Sequence, residues 1–244
     1  MDSSADTPHH DDRGRVVHLY PEHPRAVDTI VLDPLLFLTN CAFAACMLPY
    51  LSTAAVRWHR PPGRLFERAA AEGRPLIYYT WHAYTWLSVA AFRHFPAWAV
   101  PAILAHDGWR SRANQRAYAW FGFPVWVYGR HSPTRPKTQI ADALSSRGGH
   151  LALAADSGGP YGRVKAGLLD IAQASGALLV PLAFRGRRII RLRRPVTHYV
   201  PMPFCSLVVH DGDPLDARQV SLMHCQEALD RLEQEQRTSA DSGG

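Results

Sequence analysis

Cysteine is scarce in this sequence. Among 244 residues there are four, Cys41, Cys46, Cys205 and Cys225, and none forms a C-x-x-C pair. That spacing excludes the common zinc frameworks and suits a reducing compartment better than a secreted disulfide scaffold. Cys41 and Cys46 stand in an apolar run and are expected to pack as small hydrophobes. Lysine is scarcer still, with Lys137 and Lys165 alone, so the net charge of +6 and the pI of about 9.4 come from arginine. A basic balance of this kind suits an anionic partner: nucleic acid, a phosphorylated metabolite or acidic lipid.

A leader and a long apolar run are missing too. The opening "MDSSADTPHHDDRGRVVHLYPEHPR" has no basic stretch followed by an apolar one, so it does not read as a signal peptide. Residues 1–28 are expected to form a flexible arm, and 237–244 a disordered tail. The most apolar segment is "VLDPLLFLTNCAFAACMLPYL", in which Pro34 suits a helix start and Pro49 a kink or stop. A helix between them would be roughly 22 Å long, short of the ~30 Å hydrocarbon core of a bilayer. Segment 29–72 is therefore expected to be a membrane-associating helical segment that dips into one leaflet, with a buried core helix as the alternative.

From residue 73 the pattern changes. "RPLIYYTWH" reads as a strand ending at a histidine, and "AYTWLSVAAFRHF" as a helix. The alternation continues through "AWAVPAILAHD", "WRSRANQRAYAWFGF", "PVWVYGRHS", "TRPKTQIADALSSRGG", "HLALAAD", "VKAGLLDIAQASG" and "ALLVPLAF". Strands of continuous apolar character between helices predict a single α/β domain over 73–236. Its open sheet is mostly parallel and flanked by helices, and the N-terminal apolar helical segment precedes it. The stretch "RRIIRLRRPVTHYVPMPFCSLVVHDGDPL" reads as two further strands separated by prolines, and "VSLMHCQEALDRLEQEQ" as a closing amphipathic helix.

Ligands of such sheets bind at the carboxyl ends of the strands. Those ends carry His82, then His106 and Asp107, then Gly129, Arg130 and His131, then Asp156, Ser157, Arg163 and Lys165. Together they describe a cleft with a base and an anion-binding wall, which points to an enzyme. Two readings of "ADSGGPYGR" compete. In one, Ser157 is a nucleophile activated by His82 and Asp107. Against it, the "DSGGP" lies between a strand and a helix, and a nucleophile elbow wants glycine where Ala155 stands. In the other, Gly158, Gly159 and Gly162 let the backbone approach a ligand, with Arg163 and Lys165 adding positive charge.

Read in order, "TWH", "LAHDG", "YGRHSPTRP", "AADSGGPYGRVKAG", "LLVPLAF" and "VPMPF" resemble the lysophospholipid acyltransferase superfamily. They are most similar to its bacterial branch known as a domain of unknown function. The likeness spans about Pro75 to Leu215. It departs from the superfamily's His-x4-Asp signature, whose aspartate place is Leu87 here, and Trp109 stands where the branch has a glutamate.

The resemblance implies transfer of a fatty acyl group from an acyl thioester, on coenzyme A or acyl carrier protein as co-substrate, to a hydroxyl of a lysophospholipid or related lipid. No metal and no further cofactor are implied. His82 would be the general base and Asp107 its orienting partner. Substrate contacts would come from Gly129, Arg130, Asp156, Gly158, Gly159, Arg163 and Lys165. A serine hydrolase built on Ser157, His82 and Asp107, and a non-catalytic lipid-binding relative, are the alternatives. The run "FRGRRIIRLRR" holds six arginines in eleven residues. With no nucleic-acid motif beside it, it is expected to meet anionic headgroups rather than nucleic acid. That would place the chain, peripheral or monotopic, on the cytoplasmic face of the inner membrane.

Overall fold

The computed structural model describes residues 13–19, 33–107, 109–129, 134–157, 161–193 and 197–241. In chain order the elements are β1 (Val16–His18), α1 (Asp33–Ser52), β2 (Ala55–Trp58), α2 (Gly63–Glu72) and β3 (Leu76–Thr80). Next come α3 (Thr85–Phe92), β4 (Ala102–His106), α4 (Trp109–Trp120), β5 (Val125–Tyr128), α5 (Pro136–Arg147), β6 (His150–Ala154) and α6 (Ala166–Ser175). The chain closes with β7 (Leu178–Leu192), β8 (His198–Asp211), β9 (Leu215–Asp216) and α7 (Leu222–Asp241).

The strands join in the order β1-β5-β4-β6-β3-β7-β8-β2, with β9 pairing β7. Every pairing is parallel except those of β7 with β8 and with β9. The result is the mostly parallel α/β sheet flanked by helices that the alternation predicts. At its centre is β3, "LIYYT", all five residues buried, as a strand covered on both faces must be. One cover holds Leu87, Phe92, Phe95 and Phe121, packed on Tyr78, Val180 and Leu182. The other holds Ile140, Leu144, Leu168, Ile171 and Leu229, packed on Ile77, Tyr79, Leu151 and Leu179. Alternate residues of one strand thus feed opposite layers. The helices stop where the sequence signals stops: α2 at Gly73 and α6 at Gly176, both left-handed caps whose N–H groups return to the last turn. Proline opens α5.

Several findings differ from the sequence reading. Val16–His18, inside the arm expected to be flexible, pairs in parallel with β5. Segment 29–72 is more than helical, because Ala55–Trp58 pairs in parallel with β8 and forms the far edge of the sheet. Its helix α1 also runs through Pro49 to Ser52 and packs against α4 and β8. Cys46 on α1 is exposed, not packed, while Cys205 and Cys225 are buried and burial pushes their thiols up. Among the described residues no helix is long and apolar enough to cross a membrane.

A further difference is at the arginine run. "ALLVPLAF" and "RRIIRL" are one 15-residue strand, β7, which with β8 forms a long antiparallel arm. Its first half is buried and its second half mostly exposed. The ladder jumps from Arg187–Ser206 to Ile189–Pro201, and Arg188 and Phe204 take positive φ at the break. Gly186 stands just before it. A Cβ there would run into the Ser206 carbonyl, so only glycine lets the two strands pass.

Candidate active site

His82 follows Trp81 at the carboxyl end of β3 and opens a single 3-10 turn, His82–Tyr84, that leads into α3. The turn is fixed from below by Asp156, which is 2% exposed. One oxygen of its carboxylate accepts the His82 N–H at 2.7 Å, and the other accepts the Gly162 N–H at 2.9 Å. Asp156 therefore ties Gly162 to the end of β3. The Thr85 hydroxyl donates to the His82 carbonyl at 2.7 Å and closes the turn on its other side. The backbone that carries the imidazole is held by one bond to a carboxylate, the strong kind, and one from a neutral hydroxyl.

His82 lines a cleft of about 790 Å³ along the carboxyl edge of the sheet. The cleft takes walls from both helix layers: Val89 and Phe92 of α3 on one face, Leu168 and Ile171 of α6 on the other, with Leu182 between. Ser157 and Lys165 line it too. Two hydroxyls in the lining, those of Tyr78 and Thr80, are buried without a hydrogen-bond partner among the described residues. The Tyr118 phenol, also in the lining, is pushed up to about 12 by burial and stays neutral. A space that is apolar along most of its walls, with an imidazole-bearing residue at one position, has room for a chain-like apolar group beside a polar one.

The expected site residues fall into three sets. His82, Ser157 and Lys165 come together on the cleft. Asp107 does not reach His82. Strand β6 lies between β3 and β4, which puts the two residues roughly 10 Å apart at two strand spacings, and no hydrogen bond joins their side chains. The orienting contact expected of Asp107 is thus not made. No hydrogen bond joins Ser157 to His82 either; Ser157 is exposed in the turn after β6. Asp156 and Gly129 have their polar groups occupied within the protein. Gly129 donates its N–H to the Gln139 side chain at 3.1 Å, while the Gln139 amide gives back to the Gly129 carbonyl at 3.4 Å and to the Thr134 carbonyl at 2.6 Å. That staple joins Gly129 and Thr134 to α5 and leaves the Gly129 N–H no ligand to hold. Arg163 is exposed beside Gly162. Arg130, Gly158 and Gly159 lie outside the described residues.

Two ring neighbours of His82 were not found from the sequence. Tyr161 stacks on it, centroids 5.9 Å apart at 22°, and His198 meets it edge to face at 5.0 Å and 61°. Tyr161 sits in the same glycine-rich loop and was within reach of a sequence argument. His198 lies at the start of β8 and is brought in by the antiparallel return of β7 and β8; nothing local marks it. Leu87, in the place of the superfamily's aspartate, is 1% exposed and belongs to the apolar core. Among the described residues there is no group of three or more His, Cys, Asp or Glu side chains that would hold a metal ion.

No family profile matches the sequence, and no curated protein matches it. Among solved structures the fold is similar to the 1-acyl-sn-glycerophosphate (LPA) acyltransferase PlsC from Thermotoga maritima. The match covers 86% of this chain and 86% of that one, at 15% identity and a TM-score of 0.48. A likeness at that level says nothing about reaction or substrate.

Proposed function

We propose that this chain is an acyltransferase. It moves a fatty acyl group from an acyl thioester, on coenzyme A or acyl carrier protein, to a hydroxyl of a lysophospholipid or related lipid. The observation that carries the reading is His82 on the wall of a large, mainly apolar cleft at the carboxyl edge of the sheet, its backbone anchored by Asp156. The ordered motifs from "TWH" to "VPMPF" support the same reaction class.

The chemistry follows from the position of the ring. A neutral imidazole takes the proton of the acceptor hydroxyl as its oxygen attacks the thioester carbonyl carbon. The tetrahedral intermediate collapses, the C–S bond breaks, and the imidazolium returns the proton to the departing thiolate, leaving an ester and a free thiol. The acyl tail lies along the Val89, Phe92 and Leu182 wall. Lys165 and Arg163 supply positive charge for the acceptor's phosphate and for the oxyanion.

The protein works at a membrane surface in this reading, on the cytoplasmic face of the inner membrane. The described side chains Leu35, Leu38, Ala42, Ala45 and Cys46 of α1 are exposed at helical spacing along one stripe. Exposed Ile190, Leu192 and Phe204 share the β7–β8 arm with Arg187, Arg188 and Arg191. Basic residues of this kind contribute about 1 kcal/mol each near an anionic surface.

The test is direct. Purified protein is incubated with lysophospholipid vesicles and either acyl-CoA or acyl carrier protein loaded with a fatty acid, and lipids are read by mass spectrometry. The reading expects the diacyl product with at least one donor. Labelling of Ser157 by a fluorophosphonate probe, with hydrolysis and no transfer, would replace it with the serine hydrolase.

A further inference from the structure

A histidine that acts as a base must present one nitrogen to its substrate with the ring held in a single orientation, commonly by a hydrogen bond from its other nitrogen to a carboxylate or carbonyl. Among the described residues no such bond reaches the His82 ring. Two aromatic rings hold it instead, Tyr161 on one side and His198 edge to face at 5.0 Å. His198 is itself unusual. Its Nδ1 is shielded from solvent and, among the described residues, has no hydrogen-bond partner. A polar ring in that condition has no evident use in holding β8 together, since β8 already makes its ladder with β7 through Leu192–His198 and Arg191–Tyr199.

We propose that His198 is the positioning residue of His82: it packs its ring against the base and fixes the plane of the imidazole together with Tyr161. The proposal rests on the reading of His82 as the general base. The electrostatics fit it. Burial, and then the charge of His82, hold His198 below the ordinary histidine value. Among the described residues, the other titratable or charged groups near this point are the carboxylate of Asp156 on the His82 N–H, the phenols of Tyr161, Tyr84 and Tyr199, Glu233, which accepts from the Tyr84 hydroxyl, and Arg191, whose guanidinium lies 5.9 Å from the Tyr199 ring centre. A neutral aromatic neighbour accepts an imidazolium beside it without a second charge having to be accommodated.

Two readouts test this, one of them independent of substrate. In the first, histidine-labelled protein is titrated by NMR. Replacing His82 by alanine is expected to raise the titration midpoint of His198, because the repelling charge is gone; an unchanged midpoint overturns the pairing. In the second, acyl transfer is measured for His198→Ala and His198→Phe, with Tm recorded for each. His198→Ala should lower kcat about 10- to 100-fold, the scale of a displaced catalytic group, with KM within twofold. His198→Phe, which keeps the ring edge, should stay within threefold of the parent, and it decides the matter if the alanine variant fails to fold. Equal loss in both variants, or kcat within twofold for the alanine variant, overturns the proposal. If the unaltered protein transfers no acyl group at all, the reading of its function fails, and the NMR midpoint alone decides the pairing.

Discussion

Replacing Asp156 by asparagine leaves the shape of the side chain and removes what it does. The carboxylate is buried and accepts two backbone N–H groups, at 2.7 Å from His82 and 2.9 Å from Gly162. Asparagine can offer one oxygen; its NH2 then faces a second N–H with no acceptor between them. Hydrogen bonds to a charged group are worth about 1.5–3 kcal/mol each, and neutral ones about 0.5–1.5. Losing one bond and weakening the other therefore costs about 2–4 kcal/mol. At about 3 °C per kcal/mol for a chain of this size, Tm should fall by roughly 6–12 °C. Circular dichroism against temperature measures it. Acyl transfer, assayed well below Tm so that the variant is folded, should fall as well, since displacement of a catalytic group by about 1 Å can cost 100-fold. A variant with Tm within 1 °C of the parent and full transfer would refute the view that this carboxylate holds the His82 turn in place.

Two further outcomes follow from the structure. Gly186→Ala places a methyl group against the Ser206 carbonyl and 2.8 Å from the Ile189 side chain; overpacking against backbone costs about 1–3 kcal/mol, so Tm should drop measurably, and an unchanged Tm contradicts the close passage of β7 and β8. Stability should also fall on mild acidification. His94, His198 and His210 are all held below the ordinary histidine value, chiefly by burial, so from about pH 6.5 downward the unfolded chain binds more protons than the folded one. The effect is absent above that pH and grows as pH drops toward the folded values. Asp211, raised by burial, works the other way, because its folded form takes up a proton before the unfolded one does. Urea midpoints at pH 7.5 and 5.5 check the sign, and a midpoint that holds or rises at pH 5.5 contradicts it.

The central sheet was legible because its signals are local. "LIYYT", "VWVY" and "HLALA" are short apolar runs bounded by turn residues, and Gly73, Gly148 and Gly176 mark where helices stop. What escaped is non-local. Val16–His18 is three residues whose strand character comes from pairing with β5, more than a hundred positions away. The break at Arg188 and the prolines of β8 made one long arm read as separate strands. The site divides in the same way. His82 was legible as a polar residue ending an apolar strand. The expected contact of Asp107 was not, because strand order, not sequence order, decides which ends are adjacent, and β6 separates the two. Asp156 was recognised as important, but its carboxylate binds backbone, a role no composition pattern distinguishes from ligand binding. His198 reaches His82 only through the fold-back of β8.

The most direct test of the account is the effect of His82→Ala on thioester-dependent ester formation, with folding verified by Tm. Loss of a general base lowers the rate by about 10²- to 10⁴-fold, and the account predicts a fall in that range in kcat/KM while thioester binding persists. An alanine variant that transfers the acyl group at the parent rate would contradict it.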